Sequence, residues 1–585
     1  MTSIGSKLKN FFAEVRRRRV FRAALIYLVV AWVVVQMAEI VFPNLDLPEW
    51  TVTLVIALVA VCFPIMLALA WAYDIEPDGE VVKTPDAEAD AESAGADAGA
   101  DTAGGTAAPG AASADRERDT RITSLAVLPF ADMSPEGDQE YFGDGIAEEL
   151  LNAIIHCCPG TLQVPARTSS FAFKGKNLDI REIGERLGVD TVVEGSVRKS
   201  GDQLRVTVQL VDVRDGYHIW SDRYDRTMDD LFAIQDEIAS SIATRVVELV
   251  GGEPADDSGQ PPKRHTQDIE AYDLYLKGRF LWTKRTSDAL MKGVEYFEQA
   301  IAIDPGYARA YAGLADSYSL LGWYRYLPTT EAFEQTKRAA RTAVGLDDTL
   351  AEAYTSLAYA EFLYDWDWSG AERDFERAIR LNPSYPTVRH FYAEYLMAMG
   401  RFDEAYEQML HGQRLDPLAL GIATGVGWAL YYLGRYEEAI EEYHNVQVLD
   451  PNFAILPWFL GPAYVKAGRY DEAIALYDRY MERSPHPGLA ANRLQALWLS
   501  GRREEAERVR TELEERTRTE PVPADYMALV YATVGEVSAA CDALERAVEE
   551  RCWSLVFLGV DPNFDSLRVE PRFQAILSSL ALAAQ

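Results

Sequence analysis

Four prolines stand at a constant spacing in the second half of the chain. Pro383, Pro417, Pro451 and Pro485 follow one another at intervals of 34 residues. A fixed period of this size indicates stacked copies of one small unit, because such a unit cannot bury its apolar face alone. The period therefore predicts a repeat array in this region rather than one closed globular core.

A turn motif recurs between these prolines. It reads Gly-Arg-aromatic-acidic-Glu-Ala and begins at Gly400, Gly434 and Gly468, with variants at Gly501 and Gly535. Glycine reverses the chain between two antiparallel helices, and proline ends one helix and begins the next. This 34-residue pattern is typical of tetratricopeptide repeats (TPRs). We expect a TPR array of about eight repeats over residues 268–556 and a capping segment over residues 557–585.

Arrays of this kind coil into a superhelix whose concave face binds extended peptides or helices. The first helix of each repeat lines that face, so its aromatic and basic side chains are candidate contacts for other proteins or peptide segments. Packing between helices is the alternative role for many of these aromatics. The candidate residues of the binding groove are Arg389, Tyr392, Tyr395, Trp428, Tyr431, Trp458 and Phe459.

Two long apolar runs precede the rest of the chain, at residues 23–42 and 51–73. About 20 apolar residues suffice for a helix that crosses a bilayer. The basic stretch Arg16–Arg19 precedes the first run, and the segment between the runs has no Lys or Arg. The positive-inside rule then predicts a basic cytoplasmic N-terminus over residues 1–22. A transmembrane helical hairpin over residues 23–73 would contact the lipid bilayer.

This arrangement predicts a protein of the bacterial inner (plasma) membrane with cytoplasmic soluble domains. Gln36 and Glu39 lie inside the first run. If they prevent that run from spanning, the sequence leaves open whether the soluble part is cytoplasmic or periplasmic.

Two segments are predicted to be linkers. Residues 74–121 consist mainly of Ala, Gly, Asp and Glu, a composition that cannot bury enough apolar surface to offset the loss of chain entropy. We expect a disordered acidic linker there and a shorter linker over residues 251–267. The formal net charge of -34 argues against nucleic acid as a partner, because an acidic surface repels a polyanion.

Residues 122–250 predict a small α/β domain. Ser124–Phe130 forms a compact β run, and Glu140–Cys157 has the apolar spacing of a helix. Asp179 is a plausible N-cap of a short helix that ends near Val189. Three strands with alternating apolar residues follow, and an amphipathic helix over Asp229–Val250 completes the domain.

The same stretch resembles the amino-terminal domain of TolB, which the flagellar outer-membrane protein FlgO shares. The resemblance implies a fold and an interaction role rather than a catalytic activity. The residues that carry it are AVLPF (Ala126–Phe130), EYFGDGIAEEL (Glu140–Leu150), ARTSSFAFKGK (Ala166–Lys176), the run Ile183–Asp212, IWSDRYDR (Ile219–Arg226) and FAIQDEIA (Phe232–Ala239).

No residues are predicted to be catalytic, cofactor-binding or metal-binding. Gly143-Asp144-Gly145 lacks the further glycines and the lysine of a phosphate-binding loop, and His218 has no second ligand at metal-binding spacing. None of the five cysteines stands in C-x-x-C spacing, and no zinc-protease or nucleophile-elbow motif occurs. We therefore expect a protein that is not an enzyme and that needs no cofactor.

The predicted fold class is α+β overall, with an N-terminal transmembrane helical hairpin, a small TolB-like α/β domain and a C-terminal all-α TPR solenoid. The predicted function is a membrane-tethered protein–protein interaction scaffold or regulatory adaptor. One alternative is an envelope-assembly or transport component with a periplasmic soluble part. The other is a non-catalytic relative of class III adenylate cyclases, because the apolar hairpin and the domain layout resemble the non-catalytic portion of such proteins. The oligomeric state is left open.

Overall fold

The computed structural model describes residues 73–75, 81–83, 122–135, 137, 140–157, 162–176, 178–200, 203–227, 231–250 and 266–582. The chain divides into two compact units, Met1–Asp115 and Arg116–Gln585. In the first unit, strands β1 (Tyr73–Ile75) and β2 (Val81–Lys83) pair antiparallel. Both strands lie at or within the segment that was predicted to be a disordered linker.

The predicted fold class needs a correction. The described residues are mostly helical, and none of their helices is both long and apolar enough to cross a membrane, so the predicted transmembrane hairpin is not supported. The two apolar runs lie outside the described residues except for Tyr73, which belongs to β1. The inner-membrane location and the cytoplasmic side of the soluble domains are not tested and stay predictions.

The second unit begins with an α/β domain. Its sheet has the order β3-β5-β6-β7, and β4 also pairs with β5. β3 and β4 run parallel to β5, whereas β6 pairs antiparallel with β5 on one side and with β7 on the other. The elements are β3 (Leu125–Val127), β4 (Ala131–Asp132), α1 (Glu140–Cys157), α2 (Arg167–Phe171), α3 (Ile180–Leu187), β5 (Thr191–Ser200), β6 (Gln203–Asp212), β7 (His218–Thr227) and α4 (Leu231–Val250).

Period-two burial in the strands explains how this domain packs. Along β6, Leu204, Val206 and Val208 are buried and alternate with more exposed residues. They join one apolar cluster with Ile146 of α1 and Ile242 of α4. The two long helices therefore cover one face of the sheet, and α3 packs on part of the other through Ile183 and Leu187 in a separate cluster.

Residues 266–582 contain eight helix pairs followed by a short cap. Two 3-10 turns, Trp553–Phe557 and Pro562–Leu567, precede the last helix. The helices are α5 (Ile269–Trp282), α6 (Ser287–Ile303), α7 (Ala308–Trp323), α8 (Thr329–Leu346), α9 (Ala351–Ala360), α10 (Trp368–Leu381), α11 (Pro386–Ala398), α12 (Phe402–Leu415), α13 (Leu420–Tyr432), α14 (Tyr436–Leu449), α15 (Pro457–Lys466), α16 (Tyr470–Arg483), α17 (Pro487–Leu499), α18 (Arg503–Arg516), α19 (Ala524–Val534), α20 (Val537–Glu549) and α21 (Pro571–Ser579).

The repeat motif explains both the turns and the packing of the pairs. Gly434 has φ +75, and Arg435 N donates to Leu430 O, which ends α13 with a left-handed residue. The second helix then inserts a large side chain against a glycine of the first: a Cβ on Gly427 would lie 2.4 Å from the ring of Tyr443. The prediction of TPRs in this region is confirmed.

We expect a contrast between two glycines whose added Cβ atoms would both meet open space. Gly434→Ala should destabilise the chain by about 1 kcal/mol, because an L side chain is strained at φ +75. Gly345 lies in α8 without a positive φ, so Gly345→Ala should be stabilising by about 0.5 kcal/mol. Urea unfolding followed by circular dichroism measures both, and equal effects of the two substitutions would contradict this account.

Candidate interaction surface

The first helices of the repeats, which line the concave face in arrays of this kind, are mostly covered by other parts of the chain. These first helices are α5, α7, α9, α11, α13, α15, α17 and α19. Within residues 266–582, these helices contain only two exposed residues, Glu270 and Leu499. Part of this burial comes from neighbouring repeats. The rest comes from two other parts of the same chain, the α/β domain and residues 551–568, which we call the return segment.

The α/β domain packs on the first repeat through an apolar contact. A Cβ on Gly145 of α1 would lie 2.4 Å from Cδ1 of Leu276 on α5. Leu276, Tyr272 and Tyr275 belong to the same apolar cluster as the interior of the α/β domain. Since a terminal repeat must have its outer apolar face covered, the domain acts as the cap at this end of the array.

A network of charges surrounds this contact. Arg309 Nη1 lies 2.6 Å from Glu149 Oε1, and Arg279 Nη2 lies 3.5 Å from Glu148 Oε1. Arg167 of α2 also reaches Glu148, at 3.2 Å. Burial raises the pKa of Glu148, but the positive charges of Arg279, Arg167 and Arg309 outweigh it and hold the pKa below its usual value. Glu148 is therefore held as a carboxylate against these arginines, whereas burial outweighs the charge of Arg309 and raises the pKa of Glu149.

A second polar contact ties α2 to the turn between the fourth and fifth repeats. Ser169 Oγ donates to Asp416 Oδ1 at 2.5 Å and accepts from Leu418 N at 2.7 Å. Ala166 N donates to Leu415 O at 2.6 Å. Burial raises the pKa of Asp416 to about 6, although the hydrogen bonds from Ser169 and Thr168 oppose this shift. The α/β domain thus contacts the first two repeats and the turn between the fourth and the fifth.

The return segment occupies the concave face farther along the array. Phe557 is buried, and its ring centroid lies 4.8 Å from that of Trp428, 6.0 Å from Tyr432 and 6.2 Å from Phe362. One aromatic side chain therefore contacts residues of the third and fifth repeats together.

Side chains of the array also bind the return segment and its flanks by hydrogen bonds. Lys466 Nζ donates to the backbone oxygen of Pro562 at 3.1 Å, and Gln495 Nε2 donates to Asn563 Oδ1 at 3.1 Å. In the opposite direction, Arg551 donates to the backbone oxygen of Tyr364 at 2.8 Å. These contacts hold an irregular stretch of backbone against ordered helices.

Two irregular turns bring distant repeats together. Trp323 stacks on Trp553 with a centroid distance of 5.5 Å, and Arg325 Nη2 lies 2.6 Å from Asp525 Oδ2. In the third repeat, α9 continues as a π-helical turn, Glu361–Asp365, and Trp366 has φ +61. Arg551 lies 4.4 Å from the ring of Trp366. The turn of the second repeat and the start of the eighth are therefore in direct contact.

The candidate groove residues all lie in packed positions. Trp428 and Phe459 contact each other, with ring centroids 5.2 Å apart, and Trp428 also contacts the return segment. Tyr392 and Tyr395 are buried and pack on Phe375. The remaining contacts are those of Arg389 with Gln408, of Tyr431 with Tyr436, and of Trp458 with His486 and Tyr526.

Sequence reasoning missed the side chains that close the concave face. Trp323, Arg325 and Trp366 lie in the two turns that depart from the glycine motif, and Lys466 ends a first helix. The irregular turns could have indicated these residues, since an aromatic insertion in an otherwise regular turn needs a surface to pack on. Nothing in the 34-residue period indicates where that surface lies.

A buried carboxyl group lies beside the candidate groove residues on α11. Tyr359 OH donates to Glu394 Oε2 at 2.9 Å, and His390 Nε2 lies 3.2 Å from Glu394 Oε1. Burial raises the pKa of Glu394 to about 8 and, with the charge of Arg285, lowers the pKa of His390 to about 3. At neutral pH both groups are therefore uncharged, and the protonated carboxyl group can donate a hydrogen bond to the imidazole.

The described residues contain no group of three or more His, Cys, Asp or Glu side chains placed to hold a metal ion.

Two family matches cover separate parts of the chain. Residues 121–241 match the family described as HilA/YgeH-like transcriptional regulator, second domain. Residues 426–486 match the tetratricopeptide repeat family. The first match does not support the resemblance of this region to TolB and FlgO. The second agrees with the helix pairs of the structure.

One curated relative and two solved structures are similar to parts of the chain. The Rhizobium meliloti (strain 1021) protein named "Putative adenylate cyclase 3" is 35% identical over 243 residues, which are 40% of this chain and 40% of that protein. The chain thus spans less than half the length of that relative. PilF of Pseudomonas aeruginosa is 19% identical over 34% of this chain and 90% of its own, with a TM-score of 0.28. A thermophilic TPR protein of Thermus thermophilus is 17% identical over 33% of this chain and 99% of its own, with a TM-score of 0.29.

The contact between the α/β domain and the array can be tested by exchanging charges. Glu149→Arg should lower the free energy of unfolding by about 1–3 kcal/mol, because it places two guanidinium groups together in a half-buried contact. The same substitution combined with Arg309→Glu should recover most of the loss. Thermal and urea unfolding of the four proteins in this double-mutant cycle measure the coupling. Additive effects would show that the two side chains do not interact.

The pH dependence of stability tests the buried carboxyl group. The pKa of Glu394 is higher in the folded chain, about 8, than its usual value of 4.5, so the folded state retains a proton that the unfolded state loses. Its contribution to stability is full below pH 4.5 and is lost as the pH rises to about 8, at up to about 1.4 kcal/mol per pH unit. Glu394→Gln should remove this component. Parallel stability curves for the wild type and the variant would contradict the assignment.

Proposed function

We propose that this chain is a protein-interaction scaffold with a regulatory role and no catalytic activity of its own. The observation that carries the proposal is the array of eight helix pairs, part of which matches the TPR family. Repeat arrays offer a long surface for protein segments, and they rarely form the closed pocket in which catalytic acids and bases are arranged.

Two similarities to known proteins are consistent with a regulatory adaptor. The α/β domain is similar to a domain of transcriptional regulators, and 40% of the chain is similar to a cyclase-named protein. We propose that the shared region serves such proteins as a non-catalytic module that binds partners. The alternative of an envelope-assembly component gains no support from a specific feature of the described residues.

A capture experiment tests the scaffold function. The full chain, immobilised, should retain a reproducible set of proteins from a bacterial lysate, as measured by quantitative mass spectrometry. Replacing Trp428 and Phe459 together by Ala should reduce that set at least tenfold. The matched control is Val448→Ala, an apolar residue that is 81% exposed on α14. Retention of the same proteins by all three chains would argue against recognition by the array.

A turnover assay tests the absence of catalysis. Purified full chain with ATP and Mg²⁺ should form no cyclic AMP and release no phosphate above the background of a buffer control. Turnover that survives repurification and disappears on a single substitution within residues 122–250 would overturn the non-catalytic proposal.

A further inference from the structure

The return segment contacts the array as a bound peptide would. It has short 3-10 turns in place of a ninth helix pair, and it lies on the first helices of the third to seventh repeats. We propose that the concave face around Phe362, Trp428 and Lys466 is a peptide-binding groove that the return segment occupies in cis. A partner protein would replace it with a non-helical segment that presents a phenylalanine and free backbone carbonyl groups. This inference rests on the proposed scaffold function and identifies the site and the partner chemistry.

Phe557 is the aromatic anchor of the return segment, and Leu555, Val556, Leu558 and Leu567 are buried with it in the same apolar cluster. Phe557 is 5% exposed and contacts Phe362, Trp428 and Tyr432, which come from helices of two non-adjacent repeats. Aromatic anchors in a desolvated pocket dominate binding at protein interfaces. A partner segment therefore needs one large aromatic side chain at this position.

The array recognises the backbone as well as the side chain. Lys466 donates to a backbone oxygen of the return segment, and burial lowers the pKa of Lys466 in spite of the nearby Asp561 and Asp565. A half-buried ammonium group requires an acceptor, and a backbone carbonyl can be supplied by any extended or irregular segment. This contact selects for a peptide without regular helical structure at that point.

The return segment leaves polar groups of the array unsatisfied. The Nε1 atoms of Trp323 and Trp366 and the hydroxyl group of Tyr431 are buried and have no hydrogen-bond partner among the described residues. Buried donors without acceptors are unfavourable. A partner segment that supplied acceptors to these groups would gain contacts that the return segment does not make, which favours exchange.

The outer face of the last repeat is covered by a helix that follows the return segment. Helix α21 performs that role: Phe573 and Ile576 are buried, and Arg572 Nη2 lies 2.7 Å from Asp542 and 2.8 Å from Glu545 on α20. The return segment touches this cap as well, because the ring of Phe564 packs on Phe573.

A synthetic peptide tests the groove. The probe is a fluorescein-labelled peptide of residues 553–568, and the receptor is the full chain. Phe557→Ala in the chain should weaken the cis contact, so this variant should bind the probe at least tenfold more tightly than the wild type in fluorescence anisotropy. The matched control is Phe564→Ala, because the ring of Phe564 packs on Phe573 of the cap instead of on the groove. A peptide that carries Phe557→Ala should bind at least tenfold more weakly.

A second variant tests the same groove if the Phe557→Ala chain does not fold. Arg551→Ala removes the hydrogen bond to Tyr364 O at the start of the return segment and leaves the groove residues unchanged, so it should also increase binding of the probe. Equal binding by the wild type, Phe564→Ala and both opened variants would overturn the inference. Binding that does not depend on Phe557 of the peptide would also overturn it. Lysate capture that depends on Trp428 and Phe459 would then still support the scaffold function by itself.

Discussion

The structure depends on the stacking of one helix pair on the next. In two of the regular repeats a tyrosine of the second helix lies against a glycine of the first helix of the same pair, as Tyr443 does with Gly427 and Tyr477 with Gly461. Both tyrosines are fully buried, so each pair of helices is held together by a large side chain in a place that only glycine leaves free. Such a stack always leaves two terminal faces, and in this chain the α/β domain covers one and α21 covers the other.

Much of the fold could be predicted from local patterns of turn, capping and apolar residues. The turn glycines adopt the positive φ that their motif predicts, and Asp179 caps α3 by accepting from Arg181 N. The helix over Glu140–Cys157 and the three strands that follow α3 also lie where their apolar periodicity predicted them. These features succeed because short-range residue spacing determines each of them.

The contacts of the return segment with the concave face could not be predicted from local patterns. Its closure depends on pairs such as Trp323 with Trp553 and Arg551 with Tyr364, whose members lie far apart in sequence and carry no shared pattern. The aromatic residues proposed for the groove were identified by helix position, and position alone does not distinguish a side chain that meets a partner from one that packs on the return segment. The resemblance of the α/β domain to TolB and FlgO is not supported by the family match of this region. Strand and helix patterns of this size recur in many families, so they do not identify one of them.

The contact between Arg325 and Asp525 has a consequence for how the array folds. In an open array each repeat touches only its neighbours, so unfolding can begin at either end and proceed one repeat at a time. Here residues 200 positions apart are joined across the array. The end repeats cannot fray independently, because losing one also breaks the contacts of a distant one. The array should therefore unfold in fewer and larger steps than an open array of the same length. It should also fold more slowly than its helix content suggests, because the contact between Arg325 and Asp525 closes a long loop.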